Sequence, residues 1–418
     1  MYRTYNARPL PQQAAQRRSR KLLYIFAAIA SLVAAYCAFA LLRPVPGPQV
    51  VISPPVLPAL VKVNVPWPAL TPGQQVAFGA DGYGVLAHKS SDNTETPTPM
   101  ASVTKTITGL VILDKKPLSP GQQGPNIILT QHDVDLYNQY IAKDGSVVPV
   151  FAGQTITQYQ ALQALMLPSA NNIADTLAEW AFGSIAAYNT YANDYVKKVG
   201  MTSTTVTDAS GFAPTTVSTA SDLVRLGDAA LDNPVMAEIF NQKTATFPDY
   251  GTIRNVNSLL GQSGIRGIKT GNTDEAGGCY LSAADVIIGT KKITVITAVM
   301  KAPDRETAMR ASLPLIQSAP SQFQVMRAVR SGQTVGSVTT PWGATSNIRA
   351  VREISAVAWT GTTIAPKVTK SKLSTPAPAG SSVGSLDLKF NGTAQSSELQ
   401  LTNAISGPNA WWRLSHPL

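Results

Sequence analysis

The longest apolar stretch of the chain runs from Leu22 to Leu42, LLYIFAAIASLVAAYCAFALL, 21 residues without a charge. Coiled as a helix it measures about 31 Å, enough to cross the hydrocarbon core of a bilayer, so the pattern predicts one transmembrane helix. From Gln75 the pattern has period two: VAFGA, a turn at Asp81-Gly82, then YGVLAH, which predicts a hairpin. Helical spacing takes over at 102–114, 158–167, 171–180 and 185–199, the last with Gly200 as its stop. Strand patterns return at 266–270, 278–288 and 293–300, with a tight turn at 289–292, and a helix over 305–318 would pack across them. Strands, a helical insert, strands and a helix make an α+β layout with antiparallel pairing.

Beyond Pro320 short β-rich runs such as VGSVTT, AVAWTG, SVGSLDLKF and ELQLTN alternate with Gly, Pro and Ser turns, the pattern of a small all-β domain over 322–418. The segment KVTKSKLSTPAPAG, 367–380, is expected as a loop inside it. The expected organisation is a basic tail (1–21), a transmembrane helix (22–42), a proline-rich linker acting as a stiff extended spacer (43–74), a main domain (75–318) and the β domain.

Composition sharpens this. With 44% apolar and 14% charged residues the chain is globular and not disordered. The net charge of +10 owes much to Arg3, Arg8, Arg17, Arg18, Arg20 and Lys21, which abut the apolar run and resemble a cytoplasmic flank rather than a nucleic-acid arm. The expected topology puts the N-terminus in the cytoplasm and residues from 43 onward outside a single-pass span; the alternative is a cleaved signal peptide with Ala38-Phe39-Ala40 as its site. Cys37 and Cys279 lie too far apart to pair, and His88, His132 and His416 are too scattered for zinc, so no metal or other cofactor is expected.

Three histidines, none near a serine elbow, leave little room for a Ser-His-Asp triad. Ser102 and Lys105 stand three apart at the start of an apolar helix, so both side chains fall on one face and a lysine can serve as the base. Leu167-Pro168-Ser169-Ala170-Asn171 supplies Ser-x-Asn in a loop between two helices, and Gly267-Ile268-Lys269-Thr270-Gly271 supplies Lys-Thr-Gly at a strand end. Ser91-Asp92-Asn93 has the same Ser-x-Asn form in a polar turn, so each motif alone says little. The ordered triple, each in the expected element, is the signature of penicillin-recognising serine enzymes.

The text between the motifs, PMASVTKTITGLV, LPSANNIADTLAEW, GMTSTTVTDASGF, STASDLVRLG and NVNSLLGQSGIRGIKTGNTDEAGGCYLSAA, resembles the low-molecular-mass penicillin-binding proteins, serine-type D-Ala-D-Ala carboxypeptidases. That resemblance implies Ser102 as the nucleophile, Lys105 as its base and Ser169 as the proton shuttle to the leaving D-Ala. It implies Asn171 as a ligand of the substrate amide, and Lys269, Thr270 and Gly271 as the site of the terminal carboxylate, with Arg305 assisting. The backbone N–H groups of Ser102 and Asn272 would form the oxyanion hole, and Lys269 would bias Lys105 toward neutrality. The implied partners are a peptidoglycan stem peptide ending in D-Ala-D-Ala, β-lactams as inhibitors, and the membrane through the N-terminal helix. Two departures stand out: NAWWRLSHPL is too short for the family's frequent C-terminal amphipathic anchor, and Asn272 occupies a position often aromatic or histidine.

Other readings have specific requirements. A class A β-lactamase needs a deacylating Glu, and Glu238 is the nearest offer. Endopeptidase or transpeptidase action on the same stems shares the acylation chemistry. A non-hydrolytic β-lactam sensor or wall-binding protein would need an effector pattern, which the short tail does not supply.

Overall fold

The structure, a computed structural model, describes residues 12–53, 56–57, 64–359, 364–390 and 393–416. Arg3, Arg8 and part of the proline-rich stretch lie outside them. The chain divides into two compact units, one of Pro58–Met326 with Ala356–Thr363, the other of Met1–Leu57 with Arg327–Ser355 and Ile364–Leu418.

The first unit is built on a five-stranded antiparallel sheet in the order Ile265–Thr273, Gly277–Ile288, Lys291–Ala302, Gln75–Ala80, Gly84–Ser90. Strand Gln75–Ala80 is buried along its whole length because helices cover both faces of the sheet. Val76, Phe78 and Ala80 join Tyr280, Val295 and Val299 beneath helix Arg305–Gln322, whose Met309, Leu315 and Ile316 complete that core. Ala77, Leu281, Ile296 and Ala298 face the helical insert, whose core is formed around Ile107, Leu162, Leu165, Ile173 and Leu177. Apolar residues at both phases of the strand are what a doubly covered sheet requires. Helix Arg305–Gln322 outruns the expected 305–318 and contains Pro314 and Pro320. Its start is fixed by Asp304, whose Oδ1 accepts the Thr307 N–H at 2.7 Å.

The second unit contains helix Gln12–Leu42 and a six-stranded sheet ordered Gln49–Ile52, Thr334–Thr339, Thr345–Ala350, Thr393–Leu401, Ser382–Phe390, Ile364–Lys370. Two expectations change here. The proline-rich stretch is not a spacer throughout, because Gln49–Ile52 pairs antiparallel with Thr334–Thr339, Val50 opposite Val338. Between Pro48 and Pro54 the chain offers a proline-free β-branched window, so its N–H groups are available to a ladder. The first part of segment 367–380 is likewise an edge strand, Ile364–Lys370, with Val368 opposite Leu386. Among the described residues, Arg20–Leu42 is the one helical stretch long and apolar enough to cross a membrane.

Candidate active site

Ser102 lies in a 3-10 turn, Ala101–Val103, that feeds directly into helix Thr104–Lys115. The turn brings the Lys105 side chain back over Ser102: Nζ stands 2.8 Å from Ser102 Oγ, 2.6 Å from Asn171 Oδ1 and 2.8 Å from the Ser210 carbonyl. Lys105 is fully buried. An amine taken out of water needs its hydrogen-bonding capacity met, and three oxygens around one nitrogen do so. Burial pushes its pKa down to about 7, against the pull of the Asp208 and Asp175 carboxylates. The Ser210 carbonyl reaches Lys105 because Gly211, at φ +74°, lets its loop lie against the turn; a Cβ there would stand 1.9 Å from Ala101 O.

Ser169 occupies the break between helices Gln158–Met166 and Asn171–Phe182 with φ +67°, a left-handed conformation that a serine adopts only when its surroundings impose it. Its Oγ is buried and has no hydrogen-bond partner among the described residues. Asn171 follows as the first residue of the second helix, its backbone N–H held by Ser146 O at 2.7 Å.

Strand Ile265–Thr273 carries the third motif at the edge of the sheet. Lys269 and Thr270 are both buried, and Lys269 Nζ donates to Thr270 O at 3.2 Å. Gly271 abuts the serine turn: a Cβ would stand 2.9 Å from both Ser102 N and Ala101 Cβ. Burial first, then the positive charges of Lys105 and Arg305, holds Lys269 well below the usual lysine range. The expected bias of Lys269 on Lys105 toward neutrality is a mutual repulsion of two cations, present here beside the larger effect of burial. Burial is the leading cause for both, and Lys105 has two carboxylates nearby while Lys269 has two cations. Asn272 and Arg305 are exposed, Arg305 as the first residue of its helix.

The structure thus brings Ser102, Lys105 and Asn171 into direct contact, with Gly271 against the same turn. It also assembles a group that sequence reasoning missed. Tyr140, at the end of helix Gln131–Ile141, donates to Asp175 Oδ2 at 2.8 Å and lies 3.3 Å from Ser210 Oγ, which donates to Asp208 Oδ2 at 2.8 Å. Asp208 and Ser210 fall in the DASGF string and Asp175 in LPSANNIADTLAEW, but nothing in the sequence around Tyr140 marks it. Glu238 accepts a hydrogen bond from Tyr159 OH. His132 and His88 pair with Glu179 and Glu95.

A model of the D-alanyl-D-alanine carboxypeptidase family matches residues 66–304. The D-alanyl-D-alanine carboxypeptidase DacC of Escherichia coli (strain K12) is 26% identical over 339 residues, 74% of this chain and 77% of that protein. DacB2 of Mycobacterium tuberculosis is 34% identical over 196 residues, 44% of this chain and 62% of its own. Among solved structures, penicillin binding protein 5 from Haemophilus influenzae superposes with a TM-score of 0.57 at 20% identity, over 82% of this chain and all of that one. The D-alanyl-D-alanine carboxypeptidase from Mycobacterium tuberculosis gives 0.52 at 29%, over 62% and 94%. With more than half its length matched by the family model and the three motifs gathered at one site, the chain belongs to the D-alanyl-D-alanine carboxypeptidase family of serine peptidases.

Proposed function

We propose that this chain removes the terminal D-Ala from peptidoglycan stem peptides through an acyl-enzyme on Ser102, with Lys105 as a neutral amine base. The observation that carries this is the set of partners around Lys105 Nζ. Ser210 O and Asn171 Oδ1 can only accept hydrogen bonds, whereas Ser102 Oγ can also donate. A neutral amine has two N–H bonds and one lone pair. With the N–H bonds given to the two obligate acceptors, the lone pair faces Ser102, where it can take the hydroxyl proton.

In the reaction, Ser102 Oγ attacks the carbonyl carbon of the penultimate D-Ala as its proton passes to Lys105. Collapse of the tetrahedral species breaks the bond to the terminal D-Ala nitrogen, which takes a proton, and water later releases the shortened stem. Ser169 suits that proton transfer because its buried hydroxyl has no hydrogen-bond partner among the described residues to give up. Asn171, with Oδ1 engaged, turns its NH2 to the substrate amide. Lys269 and Thr270, with Arg305 nearby, form the receptor for the terminal carboxylate, whose charge restores the ammonium that burial disfavours. The N–H groups of Ser102 and Asn272 supply the oxyanion hole, and the close approach at Gly271 supports their pairing. Penicillin takes the same path and stops at the acyl-enzyme.

We also infer that Leu22–Leu42 is retained as a span with the N-terminus cytoplasmic. Most of its large apolar side chains are exposed, Phe26 and Leu32 to 70% or more, as lipid contact requires. The short helix Ala410–Ser415 meets its C-terminal end: Arg413 Nη1 donates to Leu41 O and to Arg43 O just beyond the span, each at 2.9 Å, while in the other direction Tyr36 OH donates to Leu414 O at 2.6 Å.

The test gives the ectodomain a peptide ending in D-Ala-D-Ala and measures free D-Ala together with acylation by labelled penicillin. Ser102→Ala should abolish both; D-Ala release by that variant would overturn the nucleophile. Relatives named D-alanyl-D-alanine endopeptidase reach 29% identity over 215 residues, so a cross-linked dimer of stems belongs in the same assay.

A further inference from the structure

Asp175 lies one helical turn after Asn171, so both side chains emerge on one face of helix Asn171–Phe182, toward Lys105. Among the described residues its carboxylate has a single hydrogen-bond donor, Tyr140 OH. Other carboxylates nearby are better supplied. Asp208 accepts Ser210 Oγ, the Phe212 N–H and Thr216 Oγ1; Asp133 accepts the Thr130 N–H, Thr130 Oγ1 and Thr176 Oγ1. Tyr140 is held in place by its ring edge against Phe212, with centroids 5.7 Å apart.

Tyr140 has one proton and two oxygens within reach. While Asp175 is a carboxylate that proton goes to Asp175, and Ser210 Oγ keeps its donation to Asp208 and the Phe212 N–H it accepts at 3.2 Å. When Asp175 gains a proton, its own O–H can donate to the Tyr140 oxygen, and the tyrosine proton turns to Ser210 Oγ, 3.3 Å away. No heavy atom need move. Ser210 is also the residue whose carbonyl fixes one N–H of Lys105.

We propose that Asp175 is a positioning residue for the base: through Tyr140 and Ser210 it couples its own proton to the charge on Lys105. As a carboxylate it favours the ammonium; once protonated it releases the amine to its neutral form. The proposal rests on Lys105 being the base. The groups that act on Asp175 are Tyr140 and Asp208 already described, Lys105 from helix Thr104–Lys115 and Glu179 one turn along its own helix; Tyr188 from helix Ile185–Lys198 feels its charge in turn. Burial pushes the Asp175 carboxyl up to about 6, with the Tyr140 hydrogen bond opposing, so it titrates just below Lys105.

The experiment is the pH dependence of acylation by labelled penicillin in the full chain, with Asp175→Asn beside Glu179→Gln. Removing the anion at 175 makes Lys105 easier to deprotonate, so the acid limb should move to lower pH by about half to one unit, roughly three- to tenfold faster acylation near pH 6. Glu179 is partly exposed and paired with His132 at 2.8 Å, so its neutralisation should leave the limb in place. Tyr140→Phe, which removes the donor that favours the Asp175 carboxylate, should move the limb the same way by less, and serves if Asp175→Asn does not fold. An Asp175→Asn profile superimposed on the unmodified protein, or displaced no more than Glu179→Gln, overturns the proposal. Lys105→Arg measured alongside separates the two levels. Near-normal acylation there removes the base assignment itself, whereas its loss with an unmoved Asp175→Asn profile removes only the coupling.

Discussion

The helical floor and the sheet edge of this site each bury a lysine, and their surroundings differ in kind. Lys105 is ringed by three oxygens, with two carboxylates near enough to act on it. Lys269 donates to one backbone carbonyl and feels two cations. Burial alone pushes both toward neutrality, so burial does not separate a base from an anion receptor. What separates them on the proposed mechanism is what surrounds each: Lys105 has acceptors for its N–H bonds and a lone pair left for Ser102, while Lys269 has no carboxylate partner among the described residues. In the proposed reaction a substrate carboxylate supplies that anion, and the Ser102 hydroxyl supplies the proton for the other.

The comparison breaks most sharply at Lys105→Arg, which keeps a positive charge but cannot deprotonate. Acylation should fall by about 10²- to 10⁴-fold while the melting temperature stays close to that of the unmodified protein. Lys269→Met should do something different, since it keeps volume and removes a charge. Turnover of a peptide with a free C-terminal carboxylate should drop about 10- to 100-fold, the cost of one charge-assisted hydrogen bond, and a C-terminally amidated peptide should lose much less. If both peptides lost equally, Lys269 would be supporting the fold and not reading the carboxylate. Gly271→Ala probes the place where the two regions touch. A methyl 2.9 Å from Ser102 N must push the strand from the serine turn, so acylation should fall about tenfold, with roughly 1–3 kcal/mol lost from stability by denaturant titration.

Local chemistry accounts for what could be seen in the chain itself. The opening hairpin, the helices carrying Lys105 and Asn171, and the strand carrying Lys269 follow from periodicity and turn residues within a dozen positions. The three motifs came with them because each is a short string on one such element. The Gln49–Ile52 pairing with Thr334–Thr339 was hidden, since four β-branched or polar residues specify a strand but not a partner nearly three hundred residues away. The left-handed Ser169 was hidden too, because the conformation is imposed by the two helices it joins. Tyr140, Asp175 and Ser210 meet only after helix Gln131–Ile141, helix Asn171–Phe182 and the DASGF loop have packed, and each alone is an ordinary polar residue.

In the proposed reaction Lys105 is neutral and faces Ser102 at the start. A base must be deprotonated to act, and with its pKa lowered to about 7 the neutral fraction falls tenfold for each pH unit below that value and levels off above it. The direct measurement is the rate of acylation of Ser102 by labelled penicillin from about pH 5 to about pH 9. A neutral Lys105 facing Ser102 gives a rate that climbs through a midpoint near 7 to a plateau, with that limb absent in Lys105→Arg. A flat profile, or the same limb surviving in Lys105→Arg, would contradict it.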